Sequence, residues 1–259
     1  MKKKSFSLPF IGYDYGSEFN VNYDVLIGEF GNPIIAIQIK NIVTQYSADR
    51  ALYLKYHSIL LNIISIIGEG YIVQKLDIFD KKIYQAEAHE EYLQQKYSEH
   101  FAGRIYKTID SILVFTHRID QSKKKNQYKY SDKKYKELRD KAEKIFMLLK
   151  ENDFEPHFFF EKNFEYYISS ILSMNFGRST KAFDNIRSLD SNLQIGNSYV
   201  KTISLVDVEN IELPNEIYPY TTLGGNGAIK DTAVDNFSFI NDLELYNTII
   251  YNQIIVIPD

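Results

Sequence analysis

The chain has 259 residues, 44% of them hydrophobic and 25% charged, which is typical of a globular protein with a sizeable core. It contains no cysteine, which excludes disulfides and thiolate metal sites, and its net charge of −4 argues against a general nucleic-acid binder. The strongest apolar run, residues 59–67, is too short to span a membrane, and the N-terminus lacks the apolar core of a signal peptide. These features predict a cytoplasmic protein.

The sequence between about residues 20 and 42 predicts a β-hairpin. The tripeptide Gly-Asn-Pro at residues 31–33 is a strong turn signal between two apolar arms. In the second arm, large apolar residues alternate with small or polar ones, and this period of two predicts one buried face. The residues of that face are Ile35, Ile37 and Ile39.

An amphipathic helix is predicted next, from an N-cap at Ser47 to a stop at Gly68 and Gly70. Its apolar residues recur at the three- and four-residue spacing of one helix face, so we expect this face to pack on the sheet that contains the hairpin. The residues of the face are Leu52, Tyr56, Ile59, Ile63 and Ile66 or Ile67.

The remaining elements are predicted from the same two periodicities. Strands are predicted at residues 71–79, 109–118, 198–208 and 252–259, and helices at residues 86–101, 131–152 and 163–176. In the second of these helices, Leu138, Ile145, Leu148 and Leu149 are expected to face the core. This order indicates an α+β fold with a mixed, largely antiparallel sheet and helices mainly on one face. Residues 1–259 are interpreted as one domain, in which the irregular stretch 177–197 is the candidate boundary between two sub-lobes.

Residues 221–231, TTLGGNGAIKD, contain three glycines and a lysine and resemble a phosphate-binding loop at first sight. A Walker loop needs a glycine directly before its lysine and a hydroxyl after it, whereas Ile229 and Asp231 flank Lys230. The dinucleotide-binding pattern fails as well, because Lys230 stands at the position of its last glycine. We therefore interpret the stretch as a plain flexible loop, and we expect no cofactor in this chain.

The titratable residues do not form a recognisable catalytic or metal-binding motif. None of the five histidines has the spacing of a metal-binding pair, and His89 and His100 on one helix would lie about 16 Å apart. Carboxylate pairs such as Glu90 and Glu91 lie on polar helical stretches, where nothing separates their pKa values. No serine-nucleophile motif is present. We expect no catalytic residue and no metal ligand.

A basic segment, residues 123–136, interleaves lysines with three tyrosines. Two interpretations stay open: a solvated surface segment, or a contact with an anionic surface, of which the membrane is favoured over a nucleic-acid backbone. The candidate contact residues are Lys123, Lys124, Lys125, Lys129, Lys133, Lys134 and Lys136.

Three stretches, in order along the chain, share the layout of one protein family. Residues 24–79 read as a hairpin, a helix and a strand, and residues 243–259 contain IYNQ before an apolar strand that ends in an acid. Residues 91–118 contain an HF pair, then an arginine and an aromatic residue, before an apolar strand; these positions are His100, Phe101, Arg104 and Tyr106. Together they resemble the N-terminal region of the TraG-type ATPases of conjugative transposons, which are motors of type IV secretion systems.

The resemblance implies a docking role rather than catalysis. In that family the Walker motifs, with their ATP and Mg²⁺, lie in a C-terminal RecA-like domain, which is expected downstream of this chain. The family implies an oligomer at the cytoplasmic face of the inner membrane, in contact with other transfer-apparatus subunits and neighbouring protomers, and no direct binding of nucleic acid. The alternative is a stand-alone binding protein for nucleic acid or phosphorylated ligands, which would use the lysine segment and the glycine loop.

Overall fold

The computed structural model describes residues 8–19, 21–41, 50–119, 132–176, 186–189, 192–196, 198–204, 218–223, 229–234 and 246–257. Within these ranges the chain forms twelve strands and five helices. The strands are β1 (Phe10–Asp14), β2 (Val25–Gly28), β3 (Pro33–Ile39), β4 (Tyr71–Ile83), β5 (Ile105–His117), β6 (His157–Phe158), β7 (Ile186–Ser188), β8 (Leu193–Ile195), β9 (Ser198–Val200), β10 (Tyr218–Leu223), β11 (Ile229–Val234) and β12 (Thr248–Val256). The helices are α1 (Gly16–Phe19), α2 (Arg50–Ile67), α3 (Tyr92–Phe101), α4 (Asp132–Glu151) and α5 (Glu161–Ser173).

The predicted hairpin is confirmed as β2 and β3. Gly31, between the strands, has a φ of 82°, which a residue without a Cβ adopts at no steric cost. The carbonyl of Asn32 accepts a hydrogen bond from Gly28 N at 2.9 Å, and its side-chain amide donates to Thr116 Oγ1 on β5 at 2.8 Å. The turn is therefore fixed by the neighbouring strand as well as by its own backbone.

A seven-stranded sheet forms the centre of the fold, in the order β1-β2-β3-β5-β4-β12, with β6 paired to β3. β5 occupies one edge of β3 over residues 34–39, so β2 and β6 share the other edge, one after the other. β4 and β5 pair along all thirteen residues of each strand. Every strand pair in the described ranges is antiparallel.

Helices α2 and α4 cover one face of this sheet. Ile35 and Ile37 of β3 and Phe115 of β5 are buried in the core on this side. The predicted helix faces are confirmed: Tyr56, Ile59, Ile63 and Ile67 of α2 and Leu138, Ile145 and Leu149 of α4 are buried, and Ile66 and Leu148 are partly buried. The predicted N-cap, Ser47, and the side chain of Leu52 lie outside the described residues.

Helix α5 covers the opposite face. Ala36, which alternates with the buried isoleucines of β3, belongs to a second buried cluster with Phe159 and Phe164. Gln38 on the same face donates a 3.2 Å hydrogen bond to the hydroxyl of Tyr167. The prediction of a single buried face for β3 was therefore wrong, because both faces are covered. The α+β fold with a largely antiparallel sheet is confirmed, and its two longest helices lie together on one face.

One carboxylate connects two helix starts that are far apart in sequence. Asp24 accepts hydrogen bonds from Gly16 N at 3.0 Å, at the start of α1, and from Glu161 N at 2.9 Å, at the start of α5. The first amides of a helix have no partner within the helix, so each needs an acceptor from outside. Asp24 supplies it for both helices and fixes α5 beside the β2 strand.

Helix α3 begins at Tyr92 and not, as predicted, at residue 86. Two backbone amides of the segment before α3 donate hydrogen bonds to side chains of α3. Ser98 Oγ accepts a 2.9 Å hydrogen bond from Glu87 N, and Gln95 Oε1 accepts a 2.8 Å hydrogen bond from His89 N. These bonds satisfy two amides of a segment that is neither helix nor strand, which explains why the polar stretch does not continue the helix.

The second half of the chain differs most from the prediction. β7, β8 and β9 form a small sheet, and β10 and β11 form a separate antiparallel pair. The predicted strand 198–208 is shorter: β9 ends at Val200, residues 201–204 are not strand, and residues 205–208 lie outside the described ranges. The last strand begins earlier, at Thr248. The sub-lobe boundary near residues 177–197 stays a prediction.

Candidate protein-interaction site

The far ends of β4 and β5 extend past the rest of the sheet as a two-stranded ribbon. β12 pairs with β4 only as far as Asp80, and β3 pairs with β5 only as far as Ser111. β4 and β5 continue as a pair to Ile83 and Ile105, and α3 connects them. We call residues 81–107 the arm. In the described part of the chain, no further strand pairs with the outer edge of β4 beyond Asp80 or with the outer edge of β5 beyond Ser111.

Backbone and hydroxyl hydrogen bonds help to hold the arm together. Tyr84 N donates to Arg104 O, and Gly103 N donates to Tyr84 O, both at 2.9 Å. Gly103 has a φ of 79°, which allows the chain to turn sharply from α3 into β5. The buried residue of α3 is Ser98, and its Oγ lies 3.2 Å from the hydroxyl of Tyr84. The other side chains of α3 are exposed or half-buried.

Three of the four family-matched residues contact one another on the arm. Arg104 Nη2 lies 2.8 Å from His100 Nε2, and the imidazole nitrogen accepts because a guanidinium only donates. The Arg104 guanidinium also stacks 4.8 Å from the centre of the Phe101 ring, which meets the His100 ring edge-on at 5.1 Å. The fourth residue, Tyr106, lies on the ribbon and packs edge-on against Tyr84 at 6.3 Å.

Large apolar side chains of the arm are exposed. Tyr92 and Leu93, in the first turn of α3, are 71% and 72% exposed. The exposed set is Ile83, Tyr92, Leu93, Tyr97, Ile105 and Tyr106. Scattered surface leucines need no explanation, but several large residues on one projecting element are typical of a protein interface. Aromatic residues and arginine are also the residue types that contribute most energy to such interfaces.

Charged residues accompany this apolar surface. Glu90 and Glu91 directly precede α3 and are exposed, while Lys81 and Lys107 lie opposite each other on the ribbon. A hydrogen bond from Lys96 at 2.7 Å, supported by a second from Gln95, lowers the pKa of the exposed Glu99 carboxyl. An apolar surface with polar and charged neighbours matches the usual arrangement of a protein interface.

The lysine segment lies partly within the described residues. Lys133, Lys134 and Lys136 are exposed at the start of α4, whereas Lys123, Lys124, Lys125 and Lys129 lie outside the described ranges. Tyr135, one of the three tyrosines interleaved with these lysines, is buried and donates a 2.7 Å hydrogen bond to Asp14 on β1. It therefore anchors α4 to the sheet and is not part of a solvated surface. The contact of the lysines with an anionic surface stays a prediction.

The glycine-rich stretch lies within a strand pair. Residues 221–223 end β10 and residues 229–231 begin β11, with Thr222 opposite Lys230 in the antiparallel register. The prediction of a plain loop was therefore wrong for these six residues, and residues 224–228 lie outside the described ranges. A phosphate-binding loop leads into a helix, whose first amides bind the phosphate. Here the element that follows is a strand, and this geometry does not favour phosphate binding.

Other titratable residues in the described ranges do not form a site. No group of three or more His, Asp or Glu residues there has the arrangement of a metal site. His89 precedes α3, so the prediction that it shares a helix with His100 was wrong. The buried Asp77 accepts a 2.6 Å hydrogen bond from Ser111 and pairs with Lys75. A shallow groove of about 490 Å³ runs along α4 and is lined by Asp140, Glu143, Lys144, Met147, Leu148 and Glu151, all from that one helix.

Nothing in the sequence singles out His117, yet it is the one buried histidine of the five, all of which lie within the described residues. Its ring packs 4.4 Å from that of Tyr71, and its Nε2 lies 3.3 Å from the carbonyl oxygen of Lys134. Burial lowers the pKa of His117, although the hydrogen bond to Lys134 opposes this effect. The residue connects β5 to the start of α4 and is expected to make folding sensitive to pH.

Comparisons with known proteins add no relative. No protein-family model matches the sequence, and no curated protein matches it closely enough to be a relative. Among the described residues, no helix is long and apolar enough to cross a membrane. The functional hypothesis therefore depends on the arm and on the resemblance carried by the sequence.

Proposed function

We propose that this chain is a protein-interaction domain, the N-terminal docking region of a TraG-type conjugation ATPase, and not itself an enzyme. The observation that carries the proposal is the arm, which bears exposed aromatic and aliphatic side chains as well as the stacked His100–Phe101–Arg104 cluster. Such a surface is costly to leave in water and is suited to a protein partner.

The order of the elements supports the family assignment within this proposal. The chain runs from the β2–β3 hairpin through α2 and β4 to α3 and β5, which is the layout on which the resemblance rests. Three of the residues matched to the family meet in space although their side chains come from a helix end and from the residue before a strand. Because His100, Phe101 and Arg104 contact one another, a protein that keeps this local structure has a physical reason to keep all three residues.

The proposed partners are other subunits of the transfer apparatus and neighbouring protomers, at the cytoplasmic face of the inner membrane. The arm would provide the protein contact. The lysines at the start of α4 would add an electrostatic contact with anionic lipid, which each basic residue near the surface strengthens by about 1 kcal/mol. ATP and Mg²⁺ would be bound by the downstream domain of the same protein and not by these residues.

A DNA-transfer assay tests this proposal in a cell that carries the gene on a transferable element. The double variant Leu93→Asp, Tyr97→Asp places two charges on the exposed face of α3. We expect it to fold with an unchanged melting temperature and to lower transfer at least about tenfold, the effect of losing about 1.4 kcal/mol of binding energy.

The matched control is Leu54→Asp, Leu61→Asp, which alters two exposed leucines of α2 in the same way, away from the arm. It should leave transfer near the wild-type level. Normal transfer by the arm variant, or by a strain that lacks the gene, contradicts the proposal. Metal-dependent ATP hydrolysis by the purified chain contradicts its non-enzymatic part, and DNA binding that weakens steeply with salt supports the stand-alone alternative instead.

A further inference from the structure

β12 (Thr248–Val256) is the outer strand of the main sheet. It pairs with β4 over all nine of its residues, and its other edge carries no strand in the described part of the chain. The strand contains no charged residue and no proline. Natural proteins usually block a long sheet edge with such residues, because an unblocked edge pairs with another strand.

The hydrogen bonds at the two ends of β12 show which of its backbone groups point outward. Asn247 O accepts from Lys81 N, and Ile257 N donates to Tyr71 O, so the odd-numbered residues face β4. In an antiparallel ladder the direction alternates from one residue to the next. The outward N–H and C=O groups therefore belong to Thr248, Ile250, Asn252, Ile254 and Val256.

The side chains at the end of this strand are exposed as well. Ile254, Ile255 and Val256 are 58%, 39% and 49% exposed, and as neighbours along a strand they lie on alternating faces of the sheet. Apolar surface is thus available on both faces at the same edge. A strand added there would cover it from both sides.

The sequence of β12 is nearly symmetric about Asn252. Read outward from that residue, TIIYNQIIV pairs Tyr251 with Gln253, Ile250 with Ile254, Ile249 with Ile255, and Thr248 with Val256. Two copies of the strand, placed antiparallel about a twofold axis at Asn252, therefore bring β-branched residues opposite β-branched residues and no like charges together. Within one chain Gln253 Nε2 already donates to the Tyr251 hydroxyl at 2.8 Å, and the dimer would place these two residue types opposite each other across the axis.

We infer that β12 pairs with β12 of a second copy of this chain, in a symmetric dimer whose two main sheets form one continuous sheet. With Asn252 opposite Asn252, every outward residue of one copy faces an outward residue of the other, so each outward N–H and C=O acquires a partner. A shift by one residue would set outward groups against inward ones and lose the ladder. This inference depends on β12 alone and does not rest on the proposed function.

Sedimentation equilibrium of the 259-residue chain tests the dimer directly. The wild type should sediment with twice its 30.3 kDa mass. Because the twofold axis places residue 252 opposite itself, Asn252→Lys and Asn252→Asp should each be monomeric through like-charge repulsion. An equal mixture of the two variants should recover the dimer, since the opposed charges are then complementary.

A backbone variant provides a second readout. Ile254→Pro removes an outward amide that makes no bond to β4, from an edge position where proline is tolerated, so the monomer should keep its melting temperature and lose dimerisation. The control Leu61→Lys, at an exposed position of α2, should stay dimeric. A monomeric wild type up to its solubility limit overturns the inference. Dimeric single variants at Asn252, or a mixture of the two that stays monomeric, overturn it as well.

Discussion

Truncating Ile63 to alanine probes how α2 is attached to the sheet. Ile63 is 1% exposed and belongs to the buried cluster that includes Ile35 and Ile37 of β3. The substitution removes three carbon groups, each of which contributes about 0.8 kcal/mol when buried, and leaves a cavity that the surrounding rigid sheet fills only in part. The expected loss of unfolding free energy is about 2–4 kcal/mol.

Thermal unfolding followed by circular dichroism measures this loss. For a chain of this size each kcal/mol lowers the melting temperature by about 2–4 °C, so Ile63→Ala should melt at least about 4 °C below the wild type. The control is Leu61→Ala, on the same helix but 50% exposed, which should shift the melting temperature by less than about 2 °C because surface changes are usually within 0.5 kcal/mol. Equal small shifts for both variants would show that the helix face is assigned wrongly.

Three further predictions concern charge and pH. Burial lowers the pKa of His117, so as the pH falls the unfolded chain binds a proton at this residue before the folded chain does. The contribution of His117 to the free energy of unfolding is therefore fully present above the ordinary histidine pKa of 6.5 and is lost as the pH drops below it. His117→Phe should therefore flatten the fall in melting temperature between about pH 7.5 and 5.5, and an unchanged fall refutes this role. Lys230→Ala should not change the affinity for ATP measured by calorimetry, since no binding is expected; a tight complex that requires Lys230 would contradict our interpretation of the glycine stretch. Neutralising the four lysines between residues 123 and 129 should leave the melting temperature nearly unchanged but abolish binding to anionic vesicles at low salt. A wild-type chain that ignores such vesicles rules out the membrane contact.

The parts of the fold that depend on local periodicity were predictable from sequence. The alternation of Ile35, Ile37 and Ile39 and the helical spacing of Ile59 and Ile63 each describe one element, and the structure confirms both. The second buried face of β3 was not predictable in this way. Small and polar residues that alternate with isoleucines predict a solvent-exposed face. In the structure that face is covered by α5, which comes more than a hundred residues later in the chain.

The errors near the candidate site have the same origin in long-range contacts. Tyr135 lies in a lysine-rich segment and looks solvated, but its partner Asp14 is 121 residues away in sequence. His89 was expected in the helix, but it lies in the non-helical segment before α3, where Gln95 accepts a hydrogen bond from its amide. The residues His100, Phe101 and Arg104 were identified in order along the chain, yet only the turn at Gly103 explains why they meet.

Photo-crosslinking from the arm tests the proposed contact with another protein of the DNA-transfer apparatus. A photo-crosslinking amino acid is placed at position 97 on α3, in cells that are transferring DNA, with the same group at position 61 on α2 as the control. We expect position 97 to form a covalent adduct with a transfer-apparatus subunit, identified by mass spectrometry, and position 61 to form none. Continued transfer without any adduct at position 97 would refute the proposed role of the arm.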